Sequence, residues 1–361
     1  MLATIIISSI AILFAWLARF QNSKYGGLEA AFILLTIFMS IRFNFGNDYS
    51  SYFDTFLRIG RYSNFDSSTE NLELGWYFLC WIFQPIGFFG MIIVLTIFEY
   101  TVIYRLIKKY VPKDWYWFSV FIFTLNTGHM LVFGSMMRQF LAMCIFILAV
   151  DFIIKKRWII AVLLILLASS VHSSALVLLP FSFLGYLNLS LTRKKAIIWL
   201  GVYLLFYFVA VELLGDYFFY LLALEQFEKY EVYVGGEKGG AATGFGVIFN
   251  IVLYAFLLFH QRYQSENMKT IFLLFAISVF FYVFADIAPM IGRLGYYFSI
   301  FSIICYPFLF KVIKNGLLKY SLMIVYVIVI FKSDIDFFDP NGIWYKSFYN
   351  YQTIFSAPSW I

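Results

Sequence analysis

Long apolar runs recur along the whole chain, and the polar residues gather in the short stretches between them. Each run is long enough, or nearly so, to cross a hydrocarbon layer about 30 Å thick as an α-helix. One more apolar stretch, 72–85, is interrupted by glycine and proline and predicts a short re-entrant or interfacial helix. The pattern predicts about twelve spans, at 2–18, 28–41, 87–107, 115–127, 133–154, 158–171, 174–187, 196–214, 246–263, 270–286, 292–311 and 319–332.

Composition narrows the class of protein. Of the 361 residues 63% are hydrophobic and only 13% are charged, against about 25% charged residues in soluble domains. Too little polar surface remains to cover a water-facing globule. We therefore expect an all-α, polytopic transmembrane bundle in a single domain, 1–332, with outer stretches at about 42–74 and 215–245. An aromatic tail, 333–361, follows this domain.

The positions of lysine and arginine predict the orientation. If 42–74 lies outside, 17 of the 26 basic residues fall on inner segments, near 19–24, 105–113, 155–157, 193–195, 262–269 and 311–319. Cytoplasmic segments carry such an excess in membrane proteins. The N-terminus and the tail are then outside as well. The net charge of +6 reflects this bias, so no nucleic-acid partner is expected.

The chain offers little for a cofactor. Its cysteines lie singly in apolar runs, without metal or redox spacing. The second outer stretch ends in VGGEKGGAATGFG, which lacks the pattern of a phosphate-binding loop and predicts a hinge or gate instead. We expect neither a metal nor another cofactor.

Polar residues far apart in sequence are predicted at one depth, near the outer face. An arginine or aspartate inside a span costs about 2.5–3.5 kcal/mol on insertion scales, so such residues tend to face a cavity and to have a function. Their convergence predicts a polar cavity that opens outward. Its candidate residues are Arg42, Asp48, Glu73, Arg138, His172, Asp286 and Arg293.

Several of these residues also have a purely structural interpretation. Arg42 can snorkel at a helix end, and Arg138 can form a buried ion pair. His172 can cap a helix. Asp286 can belong to a turn, and Arg293 can pair with it.

Arginine binds phosphate oxygens in a bidentate manner and stays charged. Aromatic rings offer flat faces that suit the apolar faces of sugars. A cavity that combines both fits a lipid-linked sugar diphosphate. Asp48, at its mouth, is placed to deprotonate an acceptor hydroxyl.

The string RFNFGNDYSSYFDTF resembles the R-x-x-x-G-x-D-Y-x-x-Y-x-x-x-F signature of EpsG-like proteins, a branch of the Wzy-type polysaccharide polymerases. Four further elements follow in the family's order: ELGWYFL, MRQFLAMCIFILA with a basic KKR after it, VHSSALVLLP and GRLGYYF. The resemblance covers roughly 28–311. The tail beyond 333 shows no counterpart.

The resemblance implies a bundle related to outer-face lipid-phosphate glycosyltransferases of the GT-C type and to O-antigen ligases. Such enzymes transfer a growing glycan from undecaprenyl diphosphate to an incoming lipid-linked repeat unit, at the outer face of the bacterial inner membrane. The product would be an exopolysaccharide, a capsule or an O-antigen. Implied partners are the lipid-linked oligosaccharides, membrane lipid, a chain-length regulator and a flippase.

The resemblance also implies roles for individual residues. Arg138 and Arg293 would bind the diphosphate with help from Arg42, and Asp48 or His172 would act as the base. The remaining substrate contacts would come from Glu73, Tyr49, Tyr296 and Tyr297, with the three tyrosines along the sugar path.

Three other functions remain open. A glycosyltransferase that moves one sugar from a lipid monophosphate usually carries paired acids in the first outer loop, whereas Asp48 and Asp54 are separated. A flippase or transporter commonly shows inverted repeats, and none is visible. A membrane O-acyltransferase usually has a histidine deeper in a span than His172.

Overall fold

In a computed structural model, the described residues are 1–20, 26–61, 72–187, 192–210, 245–260, 266–282, 289–342 and 344–356. Contacts divide the chain into two compact units. Unit 1 comprises Met1–Phe183 and Leu322–Ile361, and unit 2 comprises Leu184–Ser321. The residues of the predicted tail thus belong to unit 1 together with the N-terminal half of the chain.

Helices dominate both units. The helices of unit 1 are α1 (Leu2–Leu17), α2 (Gly27–Ser40), α3 (Tyr49–Ile59), α4 (Leu74–Ile82), α5 (Gly87–Tyr110), α6 (Tyr116–Leu125), α7 (Met130–Ser135), α8 (Met137–Ile154) and α9 (Trp158–Val171), followed by a 3-10 helix, Ser173–Tyr186. Unit 2 continues with α10 (Arg193–Leu205), α11 (Phe245–His260), α12 (Glu266–Tyr282), α13 (Pro289–Leu294), α14 (Tyr296–Ser299) and α15 (Ser302–Val312). Helix α16 (Gly316–Phe337) crosses the sequence boundary between the units, and α17 (Tyr345–Phe348) lies in unit 1.

Four helical stretches among the described residues are long and apolar enough to cross a membrane: Leu2–Phe20, Gln84–Tyr110, Met137–Ile154 and Gly316–Phe337. A fifth span is possible if Gly292–Ser299 and Ser302–Val312, bent by 56°, form one. Five further apolar helices are shorter, from 10 to 17 residues. The all-α membrane class is therefore supported, while the count of about twelve spans stays a prediction.

Helix α8 is the centre of unit 1. Between Phe140 and Val150 it is apolar around its whole circumference, which is typical of a helix buried on every side. In the most apolar 18-residue stretch of α8, 72% of the residues are buried, against 11% in α16. Helices α5 and α9 both pack against α8. Residues near the start of α8 are therefore held by neighbours on several sides.

The predicted helix between the second and third spans is present as α4. In contrast, the predicted continuous span 133–154 is wrong, because α7 ends and α8 begins around Met136, whose φ of −86° and ψ of 62° are not helical. The outer stretch 42–74 contains a helix of its own, α3. The other outer stretch, 215–245, lies almost wholly outside the described residues.

Two ends of unit 1 can be distinguished. At the signature end, defined by residues 42–47, the strand β1 (Arg42–Phe43) pairs antiparallel with β2 (Gln352–Thr353). The Met1 ammonium donates to the carbonyl of Phe348 at the same end, over 3.2 Å. At the opposite, basic end, Lys109 pairs with Asp151. The N-terminus, the signature and the tail thus share one end, as the predicted orientation requires.

We expect Ser50→Cys to react with an impermeant thiol reagent in intact spheroplasts and Arg157→Cys to react only after permeabilisation. Both positions are exposed, and they lie at the signature end and the basic end, respectively. The native Cys80, Cys144 and Cys305 are buried, so the unsubstituted protein is the low-background control. The reverse labelling pattern would place the signature end in the cytoplasm.

Candidate functional site

The carboxylate of Glu73 joins three elements at the signature end. Its Oε2 atom accepts from Arg138 Nη1 over 2.6 Å. Its Oε1 atom accepts from the backbone N–H and the hydroxyl of Ser173, over 3.1 and 3.2 Å. The Nδ1 atom of His172 lies 3.5 Å from the same oxygen. Residues predicted separately at one depth are thereby brought into direct contact.

Local structure explains this meeting. Glu73 is the N-cap residue of α4, and His172 ends α9 with an extended backbone. Helix α4 lies directly on α9 at Gly75, where an added Cβ atom would stand 2.4 Å from the Ser170 hydroxyl and 2.7 Å from its carbonyl oxygen. Only glycine permits this approach, because any larger residue would meet backbone atoms of α9.

The surroundings of Glu73 favour its ionised form. Burial alone would raise the pKa of this carboxyl. Contacts with His172 and Ser173 and the charge of Arg138 outweigh burial, so the pKa of Glu73 lies below its ordinary value. Glu73 therefore stays a carboxylate at neutral pH. It is suited to hold cations and N–H donors, and unsuited to act as a general base.

Tyr52 extends the cluster to α3. The Cζ atom of Arg138 lies 5.8 Å from the centroid of its ring, and the indole of Trp76 lies 5.4 Å away on a tilted plane. Burial raises the pKa of the Tyr52 phenol, the nearby Arg138 charge lowers it and Asp48 raises it further. Tyr52 is a site residue that the sequence did not predict. Its signal is its place as the second tyrosine of the signature, one turn after Asp48.

Asp48 sits where the signature segment meets α7. It is the N-cap residue of α3, and its backbone N–H donates to the Ser135 hydroxyl over 3.3 Å. Gly46, with φ of +129°, allows this approach because an added Cβ would lie 3.1 Å from Ser135 Cα. Together with Tyr52, Asp48 completes a set that we call the Glu73 cluster: Asp48, Tyr52, Glu73, Arg138 and His172.

Arg42 has a different environment. Only 3% of the residue is exposed, and its Nη groups donate to the Met39 carbonyl, the Thr96 hydroxyl and the Gly134 carbonyl. The Tyr49 hydroxyl donates to the Arg42 carbonyl over 3.1 Å. Burial raises the pKa of Tyr49 to about 12. The structure places both side chains in the packing beneath the cluster.

Three nitrogens in or beside the Glu73 cluster have no hydrogen-bond partner among the residues that the structure describes. They are Arg138 Nε, the indole Nε1 of Trp76 and His172 Nδ1, which stands 3.5 Å from Glu73. Buried donors are nearly always paired in folded proteins. An anionic oxygen is the kind of group that would complete their bonding.

The other predicted site residues belong to unit 2 or lie outside the described ranges. Arg293 is half-buried near the end of α13, and Tyr296 begins α14. Tyr297 is fully buried in the core of its unit. Asp286 lies outside the described residues. How these groups stand relative to the Glu73 cluster stays a prediction.

Within the described ranges, no group of three or more His, Cys, Asp or Glu residues is arranged to hold a metal ion. The Glu73 cluster offers instead two carboxylates, an imidazole, a phenol and a guanidinium. Such a set can bind an anion and move a proton.

The sequence pattern of the EpsG family matches residues 29–353. No curated protein and no solved structure gives a significant match to the chain. The match extends past 333 to β2, so most of the tail that showed no counterpart belongs to the region shared with the family.

We expect Gly75→Ala to lower the free energy of unfolding by about 1–3 kcal/mol, the usual cost of overpacking. The added methyl group would meet backbone atoms of α9 and separate Glu73 from His172. Gly201→Ala is the control, since it adds a methyl group to α10 with no atom within 4 Å. Thermal unfolding in detergent measures both. Equal stability of the two variants would contradict the close α4–α9 contact.

Proposed function

The chain belongs to the EpsG family, and on that premise we propose that it is a bacterial polysaccharide polymerase. It transfers a growing glycan from undecaprenyl diphosphate to an incoming lipid-linked repeat unit, at the outer face of the cytoplasmic membrane. A chain-length regulator and a flippase are its proposed partners. The product is an extracellular polysaccharide such as an exopolysaccharide, a capsule or an O-antigen.

The state of Arg138 is the observation that carries the proposal. Its side chain is 27% exposed, and Glu73 fixes the guanidinium through one nitrogen. The Nε donor of Arg138 has no partner among the described residues. A guanidinium that is oriented but not saturated is prepared to bind phosphate oxygens with its remaining N–H groups.

The charges in unit 1 require a second cation for this role. Glu73 compensates the charge of Arg138, and Asp48 adds a further negative charge nearby. A diphosphate therefore needs additional positive charge. From the resemblance alone, Arg293 and Tyr296 of the GRLGYYF element stay proposed residues for the diphosphate and the sugars.

The reaction itself needs one proton transfer. The bond between the anomeric carbon of the glycan and the diphosphate oxygen breaks, and the lipid diphosphate leaves with the electron pair. A bond forms between the same carbon and a hydroxyl oxygen of the acceptor unit. The hydroxyl proton passes to a base on the protein. Arginines stabilise the charge that develops on the leaving diphosphate.

Geometry favours His172 as this base. A carboxylate beside Nδ1 orients an imidazole and leaves Nε2 to accept a proton, as in hydrolase triads. Glu73 stands in that relation to His172. Asp48 would then act through Tyr52, by setting the position of that phenol beside Arg138. Asp48 as the base is the alternative, because it begins α3 and its charge acts on Tyr52 within the cluster.

Arg42 and Tyr49 have a supporting role in this proposal. The Arg42 guanidinium already donates to three protein oxygens and is buried, so little of it is left for a diphosphate. The Tyr49 hydroxyl is engaged by the Arg42 carbonyl. Both side chains stabilise the packing of the signature segment. Glu73, likewise, positions Arg138 and His172 and need not touch the substrate itself.

We expect Arg138→Lys to lose most polymerase activity while the protein accumulates normally. Lysine keeps the charge but cannot offer two parallel N–H groups to a phosphate. Purified protein with a synthetic lipid-diphosphate repeat unit is the assay, and chain formation is the readout. Arg157→Lys, at an exposed position of the basic end, is the control. No product from the unsubstituted protein with the diphosphate, but product with a sugar on a lipid monophosphate, would overturn the proposal.

We expect His172→Ala to reduce the rate by about 10²–10⁴, the usual contribution of a general base, and to accumulate single repeat units in cells. Asp48→Asn should reduce the rate less, and both variants should still bind the lipid-linked substrate. If Asp48→Asn is inactive and His172→Ala polymerises normally, the base is Asp48. If both polymerise normally, neither is the base, and departure of the arginine-bound leaving group drives the reaction.

A further inference from the structure

A groove of unit 1 runs between α2 and α5, from Glu29 at the basic end to Ile37 and Ile97 towards the signature end. Its cavity volume is about 320 Å³, at the lower end of the range for small-molecule pockets. The exposed rim consists of Ile33, Ile37 and Ile97, and Phe32 and Tyr100 form part of the buried wall. The groove is therefore an apolar slot that opens sideways from two helices.

The groove ends in a polar group at the basic end. The Glu29 carboxylate accepts from the Tyr104 hydroxyl over 2.7 Å and from Lys108 Nζ over 2.5 Å. Its other oxygen accepts from the backbone N–H of Gly26. This network closes the slot and fixes the ammonium group of Lys108 at its mouth.

Arg105 adds a positive charge at this end that the Glu29 carboxylate does not neutralise. It lies on α5 one turn beyond the groove-lining Thr101, and it is exposed. No ion pair of Arg105 is found among the residues that the structure describes. With Glu29 neutralising Lys108, the mouth of the groove carries one net positive charge beside an apolar slot.

We propose that this groove binds an anionic phospholipid, with one acyl chain in the slot and the phosphate beside Arg105 and Lys108. Basic pockets between membrane helices on the cytoplasmic side bind lipid head groups in this way. A narrow slot suits a single hydrocarbon chain and is too apolar for a glycan. The phosphate position, at the basic end, is separate from the Glu73 cluster, because the 14-residue helix α2 sets the two ends of unit 1 about 21 Å apart.

The probe is phosphatidylglycerol with a spin-labelled acyl chain, in phosphatidylcholine vesicles that contain the full-length protein. Electron paramagnetic resonance measures the immobilised fraction of the label. We expect Arg105→Gln to weaken binding about fivefold, since one basic residue near a membrane surface contributes about 1 kcal/mol. Arg105→Lys should bind as the unsubstituted protein does. Arg157→Gln, which removes a charge from the same end but far from the groove, should have no effect.

A second pair of variants tests the slot itself. Ile33→Trp should fill the groove and abolish immobilisation, whereas Leu163→Trp, at an equally exposed position of α9, should leave it unchanged. Equal immobilisation of spin-labelled phosphatidylcholine would overturn the assignment to an anionic lipid. Displacement of the label by a polyprenyl phosphate, with Arg105→Gln without effect, would overturn it in favour of the chain of the substrate.

Discussion

The signature end of unit 1 depends on one carboxylate. Glu73 lies at the start of α4 and accepts from residues of α8 and of the segment after α9, so three parts of the chain meet at its two oxygens. A guanidinium at the edge of a membrane is stable only when such a partner is present. The contact with Glu73 stabilises the charge of Arg138 in the fold and also fixes the direction of its guanidinium. Structural and chemical roles therefore coincide in Glu73.

Two arginines of the signature end show how burial divides similar side chains. Arg42 is buried and donates from its Nη groups to backbone and hydroxyl oxygens of the protein, while its Nε, like that of Arg138, has no partner among the described residues. The side chain of Arg138 differs in that 27% of it is exposed. Both arginines cost free energy to place near the membrane. The difference in exposure, rather than the free-energy cost, distinguishes Arg42, which supports the fold, from Arg138, which can contact a ligand.

The sequence predicts the depth of a polar residue in the membrane better than it predicts which residues contact one another. Hydropathy and charge bias place Glu73, Arg138 and His172 near one face, and they do share one end. Their contact could not be predicted, because it depends on how closely α4 approaches α9 at Gly75. Tyr52 was overlooked since it lies on the amphipathic helix α3, where a tyrosine between polar and apolar faces gives no warning of function. The break at Met136 was missed because the stretch 133–154 is apolar on average, and hydropathy carries no information on dihedral angles.

The pairing of β1 with β2 has a consequence for how the protein is made. Tyr351 stacks on Phe38 and donates to its carbonyl across 313 positions of sequence. Phe38 is synthesised long before Tyr351, and contacts between residues so far apart in sequence form late. The nascent signature segment is therefore inserted in the membrane before β2 has been translated. During that interval its open strand edge is exposed to other chains and to quality-control proteases, and pairing with β2 closes it.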